Sequence, residues 1–321
     1  MSMQDKRKAL LIGNNNYFYV SKLKGCEYDV TRMKEVLETH DKGDPNFSVF
    51  DYVNLNNETI EEEIIALLER KSTYALLYFS GHGRVVNGEG FICGVDTKIE
   101  SNYGVSMNWL SEKINSSKIP EITIILDCCH AGEFGNSDDK NSKTIPIELT
   151  TLRKGVTILA ATTSDDVAAE FGGKGIFTSL LYDGFKGAAA DILGHVNPVG
   201  LFYCAESILN PWEQRPVFKS FVDQMTPIRY CIPAVKKRIT RQLADVTYFE
   251  KKDTEIKLSP SIFRGEDQER DKVLWLSYFE KSGLLECPDG KTLYQAILDG
   301  DSCRLSPYGK HVWELALKKM I

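Results

Sequence analysis

Two short runs constrain this 321-residue chain more than anything else in it. Tyr74-Ala75-Leu76-Leu77-Tyr78-Phe79 and Ile122-Thr123-Ile124-Ile125-Leu126 are almost wholly apolar. They stop at Ser80-Gly81-His82-Gly83 and at Asp127-Cys128-Cys129-His130-Ala131-Gly132. Each run is too short for an isolated helix and reads as a strand buried on both faces, the mark of a parallel sheet. In open α/β sheets, active groups collect just past the carboxyl ends of such strands. The sequence therefore offers an imidazole, His82, and a thiol, Cys129, at one edge of one sheet. That is the arrangement of a cysteine nucleophile with its base.

The surrounding pattern supplies the rest of the sheet. Lys8–Gly13, Ser48–Leu55 and Gly155–Thr162 read as further strands. Glu27–His40 is predicted as a helix with Val30, Met33 and Leu37 on one stripe, and residues 58–70 as another with Ile60, Ile64 and Leu67 inward. Arg84–Val95 reads as a hairpin turned at Asn87-Gly88, and Asn108–Ser116 and Phe177–Lys186 as helices. Repeated βα units of this kind predict an α/β fold, a mostly parallel sheet flanked by helices, over residues 1–235. Residues 236–321 read as a second, small domain behind a mixed-charge connector, Lys236–Glu269. A helix over Asp271–Ser282, a hairpin centred on Pro288-Asp289-Gly290, and a last helix with Ser306 as cap and Pro307 first resemble a winged-helix module.

Composition narrows the function classes. No apolar stretch approaches the roughly 18–20 residues that cross a bilayer, so no membrane role is expected. The short run Ala9–Ile12 is too brief for a secretory segment. Eight scattered cysteines read as reduced thiols, which with the rest points to the cytoplasm. Residues 231–321 carry 16 Lys+Arg against 14 Asp+Glu, a weak footprint for nucleic acid. The acidic remainder suits cationic substrates if its carboxylates converge on a cleft. Adjacent Cys128 and Cys129 lack the spacing of structural zinc. Gly172-Gly173-Lys174-Gly175 lacks the context of a phosphate loop and reads as a loop at the cleft rim.

The segments Tyr78-Phe79-Ser80-Gly81-His82-Gly83 and Asp127-Cys128-Cys129-His130-Ala131-Gly132 resemble the two active-site signatures of metacaspases and bacterial caspase-like peptidases. The resemblance runs over about residues 7–230. It includes Leu23-Lys24-Gly25-Cys26-Glu27-Tyr28-Asp29 and Gly175-Ile176-Phe177-Thr178-Ser179-Leu180-Leu181. It implies a cysteine endopeptidase in which Cys129 is the nucleophile, His82 the general acid/base and His130 a bystander. Side-chain alternation turns Cys128 the other way. The backbone N–H groups of Gly83 and Cys129 are candidates for the oxyanion hole.

The resemblance also implies that Asp29 and Asp127 floor the pocket for the residue before the cleaved bond. Two carboxylates there call for a protein or peptide substrate with Arg or Lys at that position. The polar stretch Glu133–Lys154 reads as a surface loop, with Lys140, Lys143, Arg153 and Lys154 as sites of self-processing. Relatives that bind calcium use an acidic cluster. Here Ser106, Met107, Asn108 and Asn136 stand at its positions and Asp96 alone matches, so neither a metal nor another cofactor is expected. The same resemblance suggests a regulated protease of bacterial immunity or cell death, with a protein partner for the C-terminal module. The rival reading is a catalytically silent scaffold acting through that module.

Overall fold

The computed structural model describes residues 6–130, 152–161, 176–209, 216–245, 247–263 and 267–321, the side chains of 129–130 and 267–270 excepted. They form two compact units. The first comprises the chain up to Ala190 with His195–Cys231, and the second Asp191–Gly194 with Ile232–Ile321.

In the first unit the elements run β1 (Arg7–Gly13), α1 (Cys26–Glu38), β2 (Ser48–Val53), α2 (Asn57–Glu69), β3 (Tyr74–Val86), β4 (Glu89–Ile92) and β5 (Val105–Ser106). They continue as α3 (Met107–Ser116), β6 (Glu121–His130), β7 (Val156–Ala160), α4 (Ile176–Asp183), β8 (His195–Val196), α5 (Pro198–Leu209), β9 (Val217–Phe221) and β10 (Arg229–Tyr230). The main sheet has the order β2-β1-β3-β6-β7-β9. Every neighbour in it is parallel except β9, which runs antiparallel to β7. This is the mostly parallel, helix-flanked sheet that the apolar runs predict.

Side-chain alternation divides the strands between two cores. Leu10, Ile12, Leu77, Phe79, Ile124 and Leu126 pack with Ile60, Ile64 and Leu67 of α2 and Leu110 and Ile114 of α3. Leu11, Leu76, Tyr78, Ile125 and Leu159 face Val30, Met33 and Leu37 of α1, Phe177 and Leu181 of α4, and Leu201 and Ala205 of α5. The two ends of this unit are tied together. The Arg7 guanidinium donates to the carbonyls of Pro227 and Ile228, both at 3.0 Å, and lies over the rings of Phe47 and Tyr74.

β3 outlasts its neighbour β1, whose last pairing is Gly13 with Ser80. Beyond that point β3 turns back at Asn87 (φ 51°) and Gly88 (φ 80°) and pairs with β4 from Gly83 to Val86. Two successive positive φ values make the tight turn whose twist suits a hairpin. β6 follows β3 along its whole length, to the pair Gly83 and His130. The carboxyl ends of the two central strands are thus held in register.

The second unit contains α6 (Lys237–Arg241), β11 (Glu255–Lys257), α7 (Asp267–Lys281), β12 (Leu285–Glu286), α8 (Leu293–Asp299), β13 (Ser302–Leu305) and α9 (Pro307–Leu317). Its sheet is antiparallel, ordered β11-β13-β12, over a core that includes Phe249, Leu276, Phe279, Leu284 and Leu305. The expected hairpin centred on Pro288-Asp289-Gly290 is corrected here. Those residues form a helical turn that leads into α8, and α8 separates β12 from β13. The reason is a capping box. The Thr292 side chain accepts from the Gln295 N–H, and the Gln295 side chain accepts from the Thr292 N–H, so a helix starts where a strand was expected. The last helix is as predicted, with the Ser306 hydroxyl accepting from the Gly309 N–H and Pro307 first.

Candidate active site

The register of β3 and β6 sets Ser80 beside Asp127, Gly81 beside Cys128, His82 beside Cys129 and Gly83 beside His130. Neighbouring strands lie about 4.8 Å apart, so the backbones of His82 and Cys129 are one strand spacing from each other. The side chains of Cys129 and His130 lie outside the described residues. Cys128 is buried in the core that faces α2 and α3. Tyr78, two register pairs before Ser80, belongs to the opposite core, against α1 and α4.

The histidine is fixed by a loop that carries no obvious chemistry in its sequence. His82 Nε2 lies 2.9 Å from the carbonyl oxygen of Ser21. A carbonyl can only accept, so Nε2 carries the proton and Nδ1 of the neutral ring is left as the basic nitrogen. Tyr17 holds the same residue from behind. Its hydroxyl accepts the His82 backbone N–H at 2.8 Å and donates to the Cys93 carbonyl at 3.1 Å, and its ring centroid is 4.5 Å from the imidazole. This explains Gly81, because a Cβ there would stand 2.6 Å from the Tyr17 hydroxyl oxygen.

Three consecutive asparagines anchor the loop that carries Tyr17 and Ser21. Asn14 donates to the carbonyls of Leu55 and Cys93 and accepts from the Leu55 N–H. Asn15 accepts the Cys26 N–H through its side chain, and both Asn15 and Asn16 donate their backbone N–H to Asn54 Oδ1. Sequence reasoning missed Tyr17, Ser21 and the asparagines. The Asn14-Asn15-Asn16 run directly after β1 was the available signal, since side-chain amides can hold a loop's backbone. Gly83 lies between β4 and β6, opposite Ile92 and His130.

The two aspartates come to the same sheet face. Asp29 is buried in the first turn of α1 and takes the Ser80 hydroxyl on Oδ2 at 3.4 Å. Asp127 stands between the core residues Leu126 and Cys128 of β6, lies deep, and keeps part of its surface in solvent. Its Oδ2 accepts the Thr178 hydroxyl at 2.5 Å and the Thr178 N–H at 3.3 Å. Burial pushes the Asp127 carboxyl above its ordinary range, and the two bonds from Thr178 oppose that shift. The Tyr78 hydroxyl lies 2.6 Å from the Thr178 oxygen, and both acids add to the burial that holds this phenol well above its usual value.

Among the proposed processing residues, Lys140 and Lys143 lie outside the described residues, and Lys154 is exposed beside Asp223. Arg153 is half-buried. Its guanidinium donates to the carbonyls of Ile114 at 2.9 Å, Ile119 at 2.6 Å and Lys154 at 2.8 Å. A side chain that donates to three carbonyls of its own protein acts as a structural clamp. Ser106 likewise serves as the cap of α3, accepting from the N–H groups of Asn108 and Trp109. Asp96 accepts from the Asn57 N–H and from the Asn102 side chain. No helix among the described residues is long and apolar enough to cross a membrane.

Comparison with known proteins agrees with this architecture. The family model described as the caspase domain matches residues 6–220. Among solved structures, pro-sf-caspase-1 superposes with a TM-score of 0.50 at 14% identity, over 71% of this chain and 92% of its own. A protein of Geobacter sulfurreducens superposes with a TM-score of 0.51, also at 14% identity, over 68% of this chain and 94% of its own. At such identity the likeness is one of fold. No curated protein matches the sequence significantly.

Proposed function

This chain belongs to the caspase-domain family, and from that premise we propose that it is a cysteine endopeptidase cutting proteins after Arg or Lys. Cys129 is the nucleophile and His82 the general acid/base. Nδ1 of His82 takes the proton of the Cys129 thiol, the thiolate attacks the scissile carbonyl carbon, and the resulting oxyanion is held by the N–H groups of Gly83 and Cys129. His82 gives a proton to the leaving amine as the thioester forms. It then takes one from the water that releases the new carboxyl end. Asp29 and Asp127 select a cationic side chain.

One observation carries this reading. His82 and Cys129 are register partners at the ends of the two central strands, and the Ser21 carbonyl presets the tautomer that a base needs. Asp29 and Asp127, on the same sheet face and bonded by Ser80 and Thr178, support the choice of a basic residue.

The test is turnover of peptides that differ only in the residue before the cleaved bond, with labelling by a basic peptidyl electrophile. Cys129→Ala and His82→Ala should each lose activity by about 10³-fold or more while staying folded, because the pair acts as a unit. Arg and Lys peptides should exceed the Asp peptide by about 10³-fold, the scale on which a polar pocket rejects a mismatched group. Labelling of Cys129→Ala equal to wild type, or a preference for Asp, removes the proposal.

A further inference from the structure

Thr178, in the first turn of α4, is wholly buried, and both of its donors end on a single oxygen, Oδ2 of Asp127. Here the hydroxyl leaves the helix for another element. The Thr178 hydroxyl has one proton and donates it to Asp127 Oδ2, so in the 2.6 Å contact with Tyr78 the phenol is the donor. A one-way chain of donors therefore runs from Tyr78 on β3, through Thr178 on α4, to the carboxylate on β6. Each of its three members sits on a different element of the site.

We propose that Thr178 is the positioning residue of the basic-residue pocket. By fixing Oδ2 it sets the plane of the Asp127 carboxylate and leaves Oδ1 to meet the substrate's cation, and Tyr78 in turn fixes Thr178. This rests on the reading of Asp127 as a pocket acid. Two donors on one oxygen serve two ends. They let an acid lie deep without a cation, where an unsatisfied carboxylate is costly. They also freeze the rotation about its last bond, so a guanidinium or ammonium meets a carboxylate already in place. The amino end of α4 adds its partial positive charge to the same oxygen.

A positioning role and a packing role separate in kinetics. Thr178→Val keeps the volume and the backbone N–H but loses the hydroxyl bond, a charge-assisted one whose loss is worth about tenfold. Thr178→Ser keeps the hydroxyl and loses a methyl group. With Arg- and Lys-terminated peptides, Thr178→Val should raise KM about tenfold with kcat within about twofold of wild type. Thr178→Ser should return KM to within about threefold of wild type. Tyr78→Phe should shift KM in the same direction by a smaller factor. An unchanged KM in Thr178→Val overturns the proposal while leaving the peptidase reading intact. So does a Thr178→Ser enzyme as impaired as Thr178→Val, since shape alone would then matter. A wild-type protein that cuts after neither Arg nor Lys overturns the peptidase reading and this proposal together.

Discussion

His40 and Asp127 are both displaced from their ordinary acidity by burial, and they answer to pH with opposite signs. Burial, with the Arg7 and Arg229 charges behind it, lowers the His40 imidazole to about 4, and its Nδ1 accepts the Tyr230 N–H at 3.1 Å. The unfolded chain takes up this proton near 6.5, so stability falls as pH drops from 6.5 toward 4. The melting temperature should decline across that window. In His40→Asn, whose amide oxygen stands in for Nδ1, the decline should be shallower; an unaltered slope would mean other groups govern it. For Asp127 the raised acidity range means that the folded protein holds the proton longer than the unfolded chain. Stability is therefore lost as pH rises from the ordinary carboxylate range through the raised value. Asp127→Asn, assayed by melting at pH 7, should be no less stable than wild type while losing cleavage after Arg. The sequence made His82, Cys129 and Asp127 visible because each ends an apolar run. It could not show the Ser21 contact, because the group that matters there is a backbone carbonyl and every residue has one. Thr178 was hidden for another reason, since its partner Asp127 lies 51 positions away.

At the level of elements, the placement of Asp29 depends on how closely α1 lies against β1. A Cβ on Gly13 would meet the Cys26 carbonyl oxygen at 2.4 Å and the Val30 side chain at 2.7 Å. Gly13→Ala should therefore push α1 off the strand and cost about 1–3 kcal/mol, as overpacking does. Thermal melting should register the cost, and the Arg-peptide KM should rise because Asp29 moves with the helix. A variant that melts like wild type would show that α1 has slack. Cys128→Ala probes the other core. It should fold, lose about 1 kcal/mol, and keep its turnover, since this thiol packs among Leu126 and its neighbours. The strands were legible as elements because burial on both faces leaves an unbroken apolar run. α8 was misjudged although its signal was present. Thr292 and Gln295 stand at capping-box spacing and Leu293, Ala296 and Ile297 at helical spacing, but Pro288-Asp289-Gly290 invited a hairpin. The edge strand β9 gave less warning, because none of its residues is fully buried and its run is short.

The molecule as a whole has two units with separate cores, and damage to one core should stay there. Phe279 is wholly buried in the second unit. Phe279→Ala should cost that unit about 3–5 kcal/mol. Hydrogen exchange should quicken over β12, α8 and β13 while the amides of β3 and β6 keep their protection; faster exchange in both would mean that the units unfold together. A change of texture near residue 235 was readable in the sequence. The excursion of Asp191–Gly194 into the second unit was not, because a four-residue crossing leaves no compositional trace. The bonds from Arg7 to the Pro227 and Ile228 carbonyls reach across 220 and 221 positions of chain. Contacts of that span form late, since the whole intervening loop must first be closed. During synthesis the first strand of this unit waits for residues that leave the ribosome last within it. A chain that ends before residue 227 lacks both acceptors of Arg7, and its first strand loses that tie to the far end of the unit.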